Sequence, residues 1–205
     1  MSRSRPPATK ALRIVPLTKA RWRDFETLFG PRGACGGCWC MTPRLTRRDY
    51  EARKGEGNRR AMKRLVERGP PPGLLAYRGR EPIAWIAVAP RSQYRLLAGS
   101  RVLAPVDDQP VWSIVCLYLR KDVRRQGLSS RLVRAAAEFA RSRGATIVEG
   151  YPQIPRKSAM PDVFAWTGIA SSFERAGFTE VARRSPTRPI VRWRSTTAAR
   201  TRPMH

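Results

Sequence analysis

The sequence predicts a mixed α/β domain in which a mostly antiparallel sheet contains one parallel pair of strands and is flanked by helices. Short apolar runs alternate with amphipathic stretches along the chain, and hairpin-like pairs surround one strand–helix–strand unit. Such a unit requires its two strands to be parallel. At 205 residues the chain is long enough for one sizeable core and short for two. We therefore expect a single domain over residues 10–194, with disordered ends at residues 1–9 and 195–205.

The first half of the chain is predicted to contain a strand, helices and a hairpin. Residues 11–17 are strand-like, and the four apolar side chains of the next segment fall on one face of a helix that ends at Gly30. Thr46 followed by Asp49 is a capping-box pattern, and Asn58 is a candidate N-cap for the next helix. The hairpin strands are GLLAYRG and EPIAWIAVAP.

The long stretch 91–109 interrupts this alternation. It is polar and broken by proline, so it is predicted to lie outside the core. Long loops in compact domains are more often functional than idle.

The second half of the chain carries the parallel unit. Residues 111–119 are almost continuously apolar and β-branched, as in a strand buried on both faces. Residues 128–143 place apolar side chains at three-and-four spacing and end at Gly144, and residues 145–151 are again strand-like. A short helix, SSFERAGF, and two further strands, FTEVARR and PIVRWRS, complete the prediction.

The loop between the buried strand and the amphipathic helix has the chemistry of a diphosphate site. Gly127 permits a tight turn, and the first amides of a helix have no partners within the helix. Such a helix start attracts phosphate, and nearby cations strengthen the attraction. Neither a G-x-G-x-x-G sequence nor a Walker-type loop is present. The cations are Lys121, Arg124 and Arg125, and Ser129 and Ser130 add hydroxyl groups.

The pattern Arg124-x-x-Gly127-x-Ser129 resembles the signature of the GNAT superfamily of N-acetyltransferases, Gln/Arg-x-x-Gly-x-Gly/Ala, in the same strand–loop–helix context. The resemblance extends over residues 111–181 and, more weakly, to the N-terminal strand, helices and hairpin. Ser129 replaces the usual Gly or Ala but is still small, and Phe173 stands where many members have a tyrosine that protonates the departing thiolate.

The resemblance implies a GNAT-type sheet whose parallel strands splay apart, and an N-acetyltransferase that uses acetyl-CoA as cosubstrate. An amine acceptor would attack the thioester directly in a ternary complex, and a backbone N–H near Leu119 would stabilise the oxyanion. The strand backbone of Leu117, Tyr118 and Leu119 would pair with the pantetheine arm. The implied loop residues around the diphosphate are Arg124, Arg125, Gln126, Gly127, Leu128, Ser129 and Ser130.

Few residues are candidates for proton transfer. Glu149, at the end of the splayed strand, is a candidate base, with a salt bridge to one of the many arginines as the equally supported alternative. Tyr151 and Tyr118 are candidate proton donors, or core side chains. Asp107 and Asp108 lie in the long loop and could attract a cationic acceptor. The single histidine, His205, belongs to the C-terminal end.

Three cysteines, Cys35, Cys38 and Cys40, have metal-compatible spacing, but a closed zinc site needs a fourth ligand and a second pair is absent. We therefore predict no metal. The resemblance places this loop beside the acceptor, where Cys38 would form a small apolar wall and Trp39 a stacking surface.

The net charge is +26, and 35 of the 41 cations are arginines spread along the chain. Such a field recruits anions, so an alternative function is a non-catalytic, nucleic-acid-associated module on the same fold. No signal peptide or membrane span is apparent, and we expect a cytoplasmic protein with reduced thiols. The sequence leaves the oligomeric state open; a dimer is compatible with it.

Overall fold

The computed structural model describes residues 11–155 and 166–195. The ends predicted to be disordered, and with them His205, lie outside these ranges except for Ser195, whose N–H donates to the Thr146 carbonyl at 3.0 Å.

The described strands form one seven-stranded sheet in the order β1-β2-β3-β4-β5-β7-β6. Adjacent strands are antiparallel except β4 and β5, which are parallel. This confirms the predicted fold class. The strands are β1 (Leu12–Pro16), β2 (Gly73–Arg78), β3 (Glu81–Pro90), β4 (Trp112–Leu119), β5 (Ile147–Gly150), β6 (Thr179–Arg183) and β7 (Pro189–Arg194).

Helices cover both faces of the sheet. On one face, β3 packs against α1 together with α3 and the cysteine loop; on the other, β3 and β4 pack against α5. We call these the α1 face and the α5 face. The α1 face buries aromatic rings around Trp85, and the α5 face buries mainly Leu, Ile, Val and Ala. The helices are α1 (Trp22–Phe29), α2 (Arg47–Ala52), α3 (Glu56–Arg68), α4 (Arg95–Ala98), α5 (Leu128–Ser142) and α6 (Ala170–Glu174).

The helix starts show one confirmed prediction and one wrong one. Thr46 caps α2, since its Oγ1 accepts the Asp49 N–H at 3.1 Å. Asn58 is not a cap, because α3 begins earlier, at Glu56. The Asn58 side chain is instead buried inside the helix, where its Nδ2 donates to the Gly37 carbonyl at 3.1 Å. It therefore holds the cysteine loop against α3.

The long stretch 91–109 is not excluded from the core. It contains α4, and it buries Tyr94, Leu97 and Leu103 on the α1 face. The prediction was wrong because three irregularly spaced residues of the stretch turn inward, although Leu96 remains exposed. The stretch therefore forms part of the wall on this face.

Candidate functional site

The parallel strands part near the middle of the sheet. β4 pairs with β5 only from Trp112 to Ile114, and β5 ends at Gly150 while β4 continues to Leu119. The last five residues of β4 therefore run beside a gap in the sheet. Crevices at the carboxyl ends of parallel strands are where ligands bind in such sheets.

A short segment at residues 166–169 borders this gap. The Leu117 N–H donates to the Trp166 carbonyl at 2.7 Å, and Gln153 forms a bridge to Ile169. The Leu119 carbonyl accepts a hydrogen bond from Arg124 Nε at 3.0 Å. These two main-chain groups of β4 therefore have hydrogen-bond partners in this structure, as main-chain groups in a half-buried strand usually do.

The loop before α5 has an open, strained turn. Gly127 is the N-cap of α5 with φ 72°, and Arg125 also has a positive φ, 59°. A side chain added at Gly127 would meet no protein atom within 4 Å. Space is therefore open beside the start of this 15-residue helix, where the N-cap residue provides no side-chain hydrogen bond and helix geometry leaves the first N–H groups without helical partners.

Side chains of the loop hold its shape. Gln126 Nε2 donates to the Asp122 carbonyl at 2.8 Å, and its Oε1 accepts from Arg78 at 2.9 Å. Ser130 Oγ donates to the Gly127 carbonyl at 2.9 Å. Leu128 is buried, whereas Lys121 and Arg125 are exposed, so the charges remain at the surface of the turn. The arrangement suits a dianionic group held by backbone amides.

Glu149 and Tyr151 lie in a buried polar network. The Glu149 carboxylate is 1% exposed, and its Oε1 accepts from Arg192 Nη2 at 2.8 Å. Its Oε2 accepts from the Tyr151 hydroxyl at 2.7 Å and from Arg91 Nη1 at 3.4 Å. The Tyr151 hydroxyl is also 2.8 Å from Ser113 Oγ. Both carboxylate oxygens of Glu149 are therefore occupied.

Glu149 therefore forms the salt bridge that was one of its two interpretations. The ion pair with Arg192 and the hydrogen bond from Tyr151 enclose the carboxylate, and a catalytic role for Glu149 stays a prediction. Tyr151 is equally enclosed. Burial, and then the Glu149 charge, raise the pKa of Tyr151 well above its ordinary value.

The network also fixes the long loop. Arg192 donates from Nη1 and Nη2 to the two carboxylate oxygens of Asp107, at 2.6 and 2.9 Å. These hydrogen bonds lower the pKa of Asp107 to about 2. Since its charge is matched by Arg192, Asp107 is poorly suited to attract a cationic acceptor. The neighbouring Asp108 is exposed.

Tyr118 lies at the open end of β4 beside the cysteine loop. Its ring is half-buried and 5.3 Å from that of Phe29 on the α1 face. Burial raises the pKa of Tyr118, and Cys35 and Arg124 are near enough for their charges to act on it. Phe173, by contrast, is completely buried and packs its ring on Gly150, so no hydroxyl is offered from that position.

The cysteine loop is more tightly packed than a flexible wall. Trp39 is only 5% exposed and stacks on Phe29 with ring centroids 5.8 Å apart, so it is mainly a core residue. Cys38 is half-buried and donates to the Gly33 carbonyl at 3.5 Å. The remaining edge of Trp39 borders a cleft of about 600 Å³, lined also by Glu26, Glu56, Arg59, Thr27, Gly30, Pro31 and Gly55.

Residues 11–155 and 166–195 contain no group of three or more His, Cys, Asp or Glu side chains arranged to hold a metal ion. The Cys40 thiol instead contacts Cys116 on β4, with the sulfur atoms 2.6 Å apart. Across the same ranges, every helix is too short or too polar to cross a membrane.

Sequence reasoning missed Arg192, Arg91 and Trp166. The signal for Arg192 was present, because a charged residue within the apolar run of the last strand needs a buried partner. The partner follows only from strand register, which places Arg192 directly opposite Glu149. Nothing in the sequence indicates that the Trp166 carbonyl reaches β4.

Comparisons with known proteins agree with this geometry. A family model described as the acetyltransferase (GNAT) family matches residues 39–159. No curated protein sequence matches the chain significantly.

Solved structures are similar in fold. A GNAT-family acetyltransferase from Listeria monocytogenes has a TM-score of 0.53 at 7% identity, with 90% of this chain and 95% of that chain covered. PH1933 from Pyrococcus horikoshii has a TM-score of 0.52 at 14% identity, with coverages of 91% and 100%. A GCN5-related N-acetyltransferase from Kribbella flavida is 22% identical over 70% of this chain, with a TM-score of 0.42; this chain spans 30% of its length.

Proposed function

Because the chain belongs to the GNAT acetyltransferase family, we propose that it transfers the acetyl group of acetyl-CoA to a primary amine. The amine attacks the thioester carbonyl directly while both substrates are bound. The observation that carries this proposal is the open turn at Gly127, which begins α5 without a side-chain cap and follows the strand that parts from β5.

The loop before α5 would bind the cosubstrate. Backbone N–H groups from Arg125 to Ser130 would bind the diphosphate, and the exposed Lys121 and Arg125 would add charge. The pantetheine arm would enter the gap beside Leu117 and Leu119. To pair with β4 there, the arm would replace the hydrogen bond from the Leu117 N–H to the Trp166 carbonyl with a hydrogen bond of its own. Segment 166–169 would therefore shift when the arm binds.

The end of β4 would provide the groups that stabilise the oxyanion and protonate the leaving thiolate. A backbone N–H near Leu119 would stabilise the negative charge that develops on the carbonyl oxygen. Tyr118 would protonate the departing CoA thiolate, and its raised pKa keeps that proton in place at neutral pH. Arg124, whose charge also acts on Tyr118, would lower the pKa of an ammonium bound nearby and so favour the neutral, reactive amine.

The proposed function is tested by titrating acetyl-CoA into the full-length protein in a calorimeter and by following CoA release chromatographically with a panel of amines. We expect binding in the micromolar range and release of CoA only when a suitable amine is present. Chromatography is preferred to thiol reagents because the chain has four cysteines of its own.

Absence of heat with acetyl-CoA would contradict the proposal. If salt-sensitive binding to unrelated duplex DNA were then found, the chain would be a nucleic-acid-associated module on the same fold. The exposed arginines along α5, Arg131, Arg134 and Arg141, are the surface that would carry such binding.

Replacing Tyr118 by Phe tests the proton donor. We expect kcat to fall roughly 10²-fold, as for the loss of a general acid, while the affinity for acetyl-CoA stays within about twofold of wild type. Tyr94→Phe is the matched control, because the Tyr94 hydroxyl is buried with no hydrogen-bond partner among the described residues. Equal kcat values for Tyr118→Phe and Tyr94→Phe would remove Tyr118 from the mechanism.

A further inference from the structure

The fold gathers all four cysteines in one place. Cys35, Cys38 and Cys40 belong to one loop, and Cys116 joins them from the middle of β4. Hydrogen bonding to Cys40 and burial raise the pKa of Cys116, and Cys35 and Cys38 are near enough to contribute. The cluster therefore has a fourth member that the sequence spacing does not show.

Within the cluster, Cys40 and Cys116 form a distinct pair. Cys40 is 1% exposed and Cys116 7% exposed, and both belong to the core of the α1 face. Their sulfur atoms are 2.6 Å apart, so little movement is needed to reach the S–S bond length of about 2.05 Å. We propose that Cys40 and Cys116 are a disulfide-forming site, oxidised by a small hydroperoxide.

The reaction balances with hydrogen peroxide as the oxidant. The sulfur of Cys116, the less enclosed of the two, attacks one peroxide oxygen; the O–O bond breaks, and a sulfenic acid and one water are formed. The Cys40 sulfur then attacks the sulfenic sulfur. The S–S bond forms, the S–O bond breaks, and the oxygen leaves as a second water with the Cys40 proton.

The other two cysteines are poorer candidates for this bond. Cys38 donates to the Gly33 carbonyl, and burial raises the pKa of its thiol to about 12. Cys35 is exposed and is separated from Cys38 by two residues of the same loop, so a bond between them would constrain little. The Cys40–Cys116 bond would instead tie this loop to the central strand across a long stretch of chain.

The backbone around Cys40 is closely packed, which keeps the Cys40 thiol near Cys116. Trp39 and Cys40 both have positive φ values, 42° and 54°, and Trp39 is wedged against Gly33, where an added Cβ would lie 2.2 Å from the indole nitrogen. The loop is thus held in one conformation with the Cys40 thiol directed at β4. Since both thiols are buried and the pKa of Cys116 is raised, the oxidation is slow, on the scale of minutes to hours.

The test uses the reduced full-length protein, treated with hydrogen peroxide, then alkylated, digested and mapped by mass spectrometry. We expect two of the four thiols to disappear together and a peptide pair linked through Cys40 and Cys116. The melting temperature should rise by about 10 °C, because the bond closes a long loop in the unfolded chain, and dithiothreitol should reverse both changes.

Two variants, each with one cysteine replaced, provide controls. Cys35→Ser should form the same linked pair as wild type, whereas Cys116→Ala should form none and show no peroxide-dependent rise in melting temperature. Should Cys116→Ala fold poorly, the mass-spectrometric map of linked peptides in the wild-type protein is sufficient to test the proposal. Retention of all four thiols under peroxide, or a link that involves Cys35 or Cys38, would overturn the proposal. The test needs no enzymatic activity, so its result is independent of the proposed acetyl transfer.

Discussion

Gly127→Ala is expected to weaken acetyl-CoA binding by roughly 10²-fold while leaving the protein folded. The added methyl group would project into the open space beside the first amides of α5, where it meets no protein atom within 4 Å. It would hold the diphosphate away from those amides. Losing one or two charge-assisted hydrogen bonds, each of about 1.5–3 kcal/mol, gives this magnitude. Calorimetric titration with acetyl-CoA measures it.

Gly144→Ala is the matched control at the other end of the same helix. Gly144 also has a positive φ, 89°, and an added Cβ there also meets nothing within 4 Å. Both variants therefore carry the same backbone penalty of about 1 kcal/mol, but only Gly127 faces the turn before α5. Gly144→Ala should bind acetyl-CoA as wild type does. If the two variants bound it equally well, the diphosphate would not lie at the Gly127 turn.

The parts of the fold that were predicted from the sequence are those with strong local periodicity. The apolar stripe of α5, its end before Gly144 and the β-branched run of β4 each determine their element without reference to the rest of the chain. The Gly127 turn is local in the same sense, because glycine adopts a positive φ at less cost than other residues do. The order of these elements is enough to predict one parallel pair within an antiparallel sheet.

The roles of charged side chains could not be predicted in this way. Glu149 fits a catalytic base and a salt bridge equally well until the strand register places Arg192 opposite it. Asp107 lies 85 residues from Arg192, so only the fold shows that the two residues pair. Ion pairs of this kind depend on tertiary contacts, which local patterns do not encode.

The role of the cysteine loop also depends on tertiary contacts that local sequence patterns do not encode. The spacing of Cys35, Cys38 and Cys40 suggests a metal site with a missing ligand, whereas the fold directs Cys40 toward Cys116. Trp39 was expected to face an acceptor, but its ring fills the space between Phe29 and Gly33. A large aromatic next to small residues is as consistent with core packing as with ligand stacking, and the backbone conformation decides.

Arg192→Met is expected to lower the free energy of unfolding by about 3–5 kcal/mol, the usual result of removing one partner of a buried ion pair. Arg192 is 3% exposed, and its guanidinium donates to both Glu149 and Asp107. Without it, the buried Glu149 carboxylate keeps its hydrogen bond from the Tyr151 hydroxyl, but the remaining cation in contact with it is Arg91, at the longer distance of 3.4 Å. Equilibrium unfolding in urea measures the change.

Arg183→Met is the control, since Arg183 pairs with Glu180 on the exposed strand β6, and such pairs contribute little. Its unfolding curve should overlay that of wild type.

A second measurement on Arg192→Met is the pH dependence of stability. Arg192 lowers the pKa of Asp107 from 3.8 to about 2, so this pair stabilises the fold above pH 4, and that contribution is lost as the pH falls toward 2. Arg192→Met should lack this part of the acid dependence. If instead it matched wild type in urea and in acid, the network would not hold β5, β7 and the long loop together, and Glu149 would again be open to a direct role in catalysis.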